Sequence, residues 1–240
     1  MSAPVALRFL PSGDTALTVE FGRDIDPAVN SRVLALDGRI AQGVEGVLET
    51  VPTYRSLLVH YDPEVTDFEA LSRRLRDLTI DLPARPKEGR LWRVPVVYGG
   101  DFGIDLDETA ARHGLTAAEL IARHAAPIYR VYMTGFLPGF AYLGGLDPTI
   151  ATPRRESPRS WTPEGTISIG GVQALVASIA APSGWHLLGR TPMRNFMLDR
   201  DPVFILSPGD RVKFEPIDAD KWQALDTAAA AGDLVGEPIA

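Results

Sequence analysis

The chain contains no cysteine. That excludes disulfides, thiolate zinc sites and cysteine nucleophiles. Lysine is almost missing as well: Lys87, Lys213 and Lys221 stand against 21 arginines. None of the three follows a glycine, so no Gly-x-x-x-x-Gly-Lys phosphate loop exists. No Gly-x-Gly-x-x-Gly opens a helix, and no Gly-x-Ser-x-Gly elbow occurs. The four histidines, His60, His113, His124 and His186, lack metal-ligand spacing, so no metal site is expected. A self-contained nucleotidase, dehydrogenase, metalloenzyme or serine hydrolase is poorly supported. No run of about 18 apolar residues is present, so no membrane span is expected. The net charge of -7 argues against a nucleic-acid binder, which is usually basic. No basic segment followed by a long apolar stretch opens the chain, and a cytoplasmic location is the default.

What is present is enough apolar sequence for a proper core. The 240 residues are 45% hydrophobic, which predicts one large domain or two small ones. Ala6–Leu10, Ala16–Phe21, Val47–Pro52 and Ser56–Tyr61 read as strands. Asp26-Pro27 opens a helix with a capping side chain and then proline in the first turn. Val29, Val33, Leu36 and Ile40 make its apolar face. Asp67 caps a second helix with Phe68, Leu71, Leu75 and Leu78 on one side. With Leu91–Tyr98 the order is strand, helix, strand, strand, helix, strand, that of a split βαβ, ferredoxin-like unit. Leu82–Gly89, rich in proline, reads as a linker. Pro95 makes Leu91–Tyr98 an edge or crossing strand.

Beyond the linker, Thr116 and Glu119 form a capping box, with Leu120 and Ile121 facing inward. His113 and His124 read as solvent-facing helix residues and His60 as a core or rim residue. Ile128–Met133, Val203–Leu206 and Arg211–Pro216 read as strands, the last two around a Ser207–Asp210 turn. Many short strands and few helices predict a closed or sandwiched β-barrel, making the chain α+β. An alanine-rich tail with Trp222 and Leu225 reads as a helix stopped by Gly232. The expected boundaries are 1–88, 89–218 and 219–240.

The densest signal lies between Met133 and Met193, where glycine and proline alternate with aromatics and arginines. Arg154, Arg155, Arg159, Arg190 and Arg194 cluster in an otherwise acidic chain. A guanidinium binds carboxylate or phosphate in a fork, so they read as an anion site, or else as salt bridges to Glu156, Glu164, Asp199 or Asp201. His186 reads either as a general acid-base or carbonyl-binding group or as a half-buried histidine donating to a loop. Phe136, Phe140 and Tyr142 read as a pocket wall or as plain core. Gln173 could read a ligand amide or tie down a loop.

Five motifs, in order, resemble a known family. They are Phe136-x-Pro138-Gly139-Phe140-x-Tyr142-Leu143; Thr152-Pro153-Arg154-Arg155 with Pro158-Arg159; Ser168-Ile169-x-Gly171-x-Gln173; Ser183-Gly184-Trp185-His186-Leu187-x-Gly189-Arg190-Thr191-Pro192; and Pro208-Gly209-Asp210-Arg211-Val212-x-Phe214. Together they are similar to the B subunits of bacterial 5-oxoprolinase, also called the allophanate hydrolase subunit 1 or Kip inhibitor family. The same module forms part of the carboxyltransferase region of urea carboxylase. The resemblance spans the chain from the first strands to about Ile217. It implies a small α+β domain followed by a cyclophilin-like β-barrel. It implies a hydrolase component that acts with the A and C subunits to open 5-oxo-L-proline to L-glutamate. ATP is the implied cofactor, bound together with those partners. Carried onto this sequence, His186 and Arg190 are expected to be catalytic, and Phe136, Tyr142, Arg154, Arg159 and Gln173 to bind the amide substrate. The chain departs from the family at Ala174–Ser178, where Thr-Gly-Ile-Tyr-Pro is usual. Two other activities remain open at this point: inhibition of a histidine kinase, and handling of urea-derived amides with biotin.

Overall fold

The computed structural model describes residues 7–83 and 88–239. Ala6, where the first strand was expected to begin, and residues 84–87, in the middle of the expected linker, lie outside the described residues. The chain divides between Lys87 and Glu88 into two compact units.

The first unit runs β1 (Arg8–Pro11), β2 (Ala16–Glu20), α1 (Pro27–Ile40), β3 (Val47–Pro52), β4 (Ser56–Tyr61) and α2 (Phe68–Leu78). Its sheet has the order β1-β2-β4-β3 with every neighbouring pair antiparallel. β4 therefore lies between β2 and β3, as a split βαβ arrangement requires. The remaining position is filled by β1, not by Leu91–Tyr98 as the sequence order predicted. A tight turn brings β1 back onto β2, and a hairpin needs no crossover. The period-2 pattern of β4 buries Leu57, Val59 and Tyr61 against Val33, Leu36 and Ile40 of α1 and Leu71 and Leu75 of α2. The helix start read from Asp26 is present: its carboxylate accepts from the backbone N–H groups of Ala28 and Val29 at 2.7 and 3.0 Å.

The second unit contains β5 (Leu91–Tyr98), α3 (Leu106–Arg112), α4 (Ala117–Ala125), β6 (Tyr129–Thr134), β7 (Ala141–Gly144), β8 (Arg159–Thr162) and β9 (Thr166–Gly170). It continues through β10 (Gln173–Val176), β11 (Ala181–Ser183), β12 (His186–Arg190), β13 (Arg211–Pro216), α5 (Trp222–Ala230) and β14 (Glu237–Ile239). Seven strands close into a barrel in the order β12-β9-β10-β7-β6-β13-β5, and β5 pairs back onto β12. Closure removes the free strand edges that an open sheet would expose. β14 adds to β5 from outside that ring, and β8 with β11 forms a separate two-stranded ribbon. Val94, Val96, Val131, Leu143, Ile167, Ile169, Ala174, Val176 and Leu188 fill the interior.

Three expectations are corrected here. β5 is not an edge: it pairs in parallel with β13 on one side, and with β14 and β12 on the other. Pro95 is tolerated because it falls between the stretch paired to β14, ending at Arg93, and the stretch paired to β12, beginning at Val97. Val203–Leu206 forms no strand; Phe204 makes a single bridge with Phe196. His124 is fully buried in the barrel core, its ring stacked on Phe214 at 4.9 Å, because it lies one helical turn after Leu120 on the inward face of α4.

Candidate active site

β7, β10, β9 and β12 form one wall of the barrel. Along β10, Ala174 and Val176 point inward, so Gln173 and Leu175 leave on the outer face. Leu175 stands opposite Tyr142 of β7. Phe140, Leu175, Ala177, Ala181 and Trp185 pack together on this outer face as a second apolar cluster. Gly170 lets Trp185 lie flat on the wall: a Cβ there would come within 2.7 Å of the indole. Between the wall, the Gly135–Gly139 loop and the β8–β11 ribbon opens a cleft of about 260 Å³. Its lining includes Phe136, Tyr142, Arg154, Arg155, Ser183 and Trp185.

Arg154 is the cleft's least committed cation. Among the described residues it makes no ion pair, and its guanidinium stands 5.3 Å from the Trp185 ring centre. Such a contact leaves the edge donors of the fork free. Tyr142 meets Trp185 edge-on at 6.0 Å. Burial pushes the Tyr142 phenol pKa upward, opposed in part by the Arg154 charge. The hydroxyl therefore stays protonated and able to donate near neutral pH.

Phe136 holds a left-handed backbone, φ 69°, and is 69% exposed. An aromatic side chain there costs on the order of 1–3 kcal/mol of backbone strain. The base of its loop is held firmly. Asn195 donates to the Gly139 carbonyl, Ser178 donates to the Pro138 carbonyl, and a Cβ on Gly139 would meet Phe196 at 2.6 Å. Phe136 is also a wall of an apolar groove of about 310 Å³, shared with Leu137, Pro138 and Phe204.

The segment bearing Arg154 and Arg155 is pinned from several sides. Thr152 bridges Gly171, and the Arg155 N–H donates to the Gly184 carbonyl at 2.8 Å. Thr152 Oγ1 donates to the Ile150 carbonyl at 3.0 Å, so it accepts from His113 Nε2, 2.8 Å away. His186 Nε2 lies 2.8 Å from the Pro153 carbonyl and must be the protonated nitrogen, because a carbonyl only accepts. His186 is 2% exposed and does not line the cleft; its buried Nδ1 has no partner among the described residues. Of its two readings, the one the structure shows is the histidine donating to a loop carbonyl; the catalytic role implied by the resemblance would have it face the ligand. Instead it stands one layer back and holds the strap that carries Arg154.

Arg159 is also one layer back. Both of its Nη atoms bond Asp105, at 2.9 and 2.5 Å. Asp105, 2% exposed, further accepts from Arg155 Nη1 at 3.3 Å and from the Leu187 N–H at 2.8 Å. This carboxylate was not singled out as an arginine partner from the sequence, because its arginines lie 50 and 54 positions away. Gln173 shares the outer face with Leu175 but does not line the cleft. Arg190 lies elsewhere: Trp222 of α5 sits against it at 4.8 Å, and its Nε donates to the Glu164 carbonyl. Desolvation lowers the Arg190 pKa from its ordinary value. The neighbouring Arg194 pairs with Asp226 and Glu164. The fold thus brings Phe136, Tyr142 and Arg154 together around one cleft, while Arg159 and His186 buttress them and Arg190 belongs to the seat of α5.

Among the described residues, no group of three or more His, Asp or Glu is placed to hold a metal ion, and no helix is long and apolar enough to cross a membrane. Residues 7–206 match the carboxyltransferase domain, subdomains C and D. The B subunit of 5-oxoprolinase from Bacillus subtilis (strain 168) is 38% identical over 227 residues, 88% of this chain and 93% of that protein. The solved structure of TTHA0988 superposes with a TM-score of 0.76 at 34% identity, covering 85% of this chain and 40% of that one. This chain therefore spans less than half the length of that solved relative. The K. lactis urea amidolyase gives a TM-score of 0.80 over 96% of this chain and 16% of that one, at 18% identity, a likeness of fold. With the family match over most of its length and a curated relative matched nearly end to end, the chain belongs to the carboxyltransferase-domain family of subdomains C and D, alongside the B subunits of 5-oxoprolinase.

Proposed function

We propose that this chain is the B subunit of an ATP-dependent, cytoplasmic 5-oxoprolinase and supplies one wall of its active site. The observation that carries this reading is the uncommitted guanidinium of Arg154 in a small aromatic cleft, in a chain closely related to a 5-oxoprolinase B subunit. The cleft is below the usual range of about 300–1,000 Å³ for drug-sized ligands, which suits a single small ring. In this reading Arg154 takes the carboxylate of 5-oxo-L-proline in its fork. Trp185 and Phe136 flank the ring, and Tyr142 donates to the lactam carbonyl oxygen. Arg155, which also lines the cleft, adds positive charge that favours the anionic substrate as it binds.

The residues present do not fit ATP. The chain has no phosphate loop, and the cleft is too small for a nucleoside triphosphate. Nucleotide binding and the activation of the amide therefore fall to the partner A and C subunits in this reading. The exposed aromatic Phe136 and the apolar groove beside it support a partner on this side.

The test is ATP-dependent glutamate release by the purified chain alone, and by the chain mixed with the A and C subunits. We expect none from the chain alone and turnover from the three together. Turnover by the single chain would contradict the half-site, and none from the complete mixture would contradict the substrate.

A further inference from the structure

Asp105 stands outside the cleft, yet everything it touches bears on it. Its carboxylate is 2% exposed and takes four donors: Arg155 Nη1, both Nη atoms of Arg159, and the Leu187 N–H. The Asp105 N–H donates in turn to the Leu187 carbonyl at 3.0 Å. This two-way bond ties the start of α3 to β12, two residues past Trp185 on the cleft wall. Gly103 permits the approach, since a Cβ there would fall 1.9 Å from the Leu188 carbonyl oxygen.

One buried carboxylate therefore serves two guanidiniums. Arg159 occupies both of its oxygens in a fork, so only a single longer contact is left for Arg155. Arg155 is consequently held at one Nη while it lines the cleft. The same Nη1 also lies 3.9 Å from the exposed Glu108, which pairs with Arg112 as well. Three guanidiniums thus share two carboxylates and leave a net positive charge at the cleft wall, and a side chain tethered at one point loses little further freedom on binding a ligand.

We propose that Asp105 is the positioning residue of the cleft. Through its division between Arg159 and Arg155, it fixes where the Arg155 charge is presented to an anionic ligand. The proposal deepens the functional reading above and rests on it for the identity of the substrate, but not for the arrangement of Arg155.

The test has two parts. In the complete three-subunit enzyme, Asp105→Asn is expected to raise KM for 5-oxo-L-proline roughly ten- to a hundredfold, the scale of a lost hydrogen bond to a charged group. The turnover number should stay nearly unchanged. Made on top of Arg155→Gln, the same substitution should add nothing to KM. Equal increases in both backgrounds, or a fall in kcat with KM unmoved, would overturn the proposal. Arg159→Gln covers the case in which Asp105→Asn does not fold. The carboxylate then draws Arg155 into the fork that Arg159 vacated, and KM rises again; an unchanged KM counts against the proposal. The second part uses the chain alone and no substrate. The Nε–H resonances of arginine, followed by NMR relaxation, should show Arg155 ordered in the native chain and loosened in Asp105→Asn, with Arg154 unaffected. If Arg155 stays equally ordered, the proposal is wrong whatever the substrate proves to be.

Discussion

The buried His124 makes the barrel sensitive to acid in a calculable way. Tyr98 Oη lies 2.8 Å from His124 Nδ1, and the buried Nε2 has no partner among the described residues. Burial pushes the Tyr98 phenol pKa well up, so its hydroxyl keeps its proton. An imidazolium needs two acceptors, and the pocket offers at most one. Desolvation accordingly lowers the His124 pKa from 6.5 to about 3. Between those values the unfolded chain binds a proton that the folded chain refuses. Stability from this group is full above about pH 6.5 and is lost as the pH falls towards 3. The complete loss is roughly 5 kcal/mol, at about 1.4 kcal/mol per pH unit. Between pH 8 and pH 5 it is about 2 kcal/mol. Urea unfolding at these two pH values measures the difference. Tryptophan emission is the probe, because Trp92, Trp161, Trp185 and Trp222 all lie in the second unit. Carboxylates also titrate, so the comparison is with His124→Gln, which keeps an acceptor for Tyr98 but does not titrate. The native chain should lose about 2 kcal/mol more than the variant over this interval. Equal losses would refute the reasoning.

Three further outcomes follow from the geometry. Arg154→Lys should raise KM for the anionic substrate on the order of tenfold because lysine lacks the planar fork. Arg190→Lys should leave KM alone and lower stability by about 1 kcal/mol through its weakened contact with Trp222; a matching rise in KM in both variants would refute their separation. Gly103→Ala should cost about 3 kcal/mol or more in the same urea assay, because its Cβ would meet the backbone of β12. A near-native midpoint would show that the turn can move away.

Local rules carried much of the fold. Asp26, Asp67 and the Thr116–Glu119 pair cap the helices read from them, and the bounds of β3, β4, β5 and β13 are those read from apolar runs and turn residues. What failed needed tertiary information. The first unit's outer strand came from β1 because pairing choice is not local. His124 was misread because a lone histidine on a helix looks polar; its spacing from Leu120 was the available clue. In the site, aromatics and Arg154 could be grouped because the Met133–Met193 stretch is dense in loop-shaping residues. The roles of Arg155 and Arg159 could not be read, because their counter-ion lies far back in the chain. His186 and Arg190 share one motif and one strand, yet a bulge in the β12–β9 register separates their positions.

The way the barrel closes also bears on how the protein is made. β5 is the first barrel strand synthesised, but its partners are β12, β13 and β14. At roughly 5–20 residues per second, β5 waits on the order of ten seconds before its ladder can form. During that interval Trp92, Val94 and Val96, all buried in the finished barrel, are without the strands that cover them. The first unit has no such delay, since its sheet needs nothing beyond β4. The nascent chain therefore passes through a stage with one unit able to fold and an apolar strand unpaired behind it. That interval is when a chaperone has most to bind, and when a slowed ribosome would most promote aggregation.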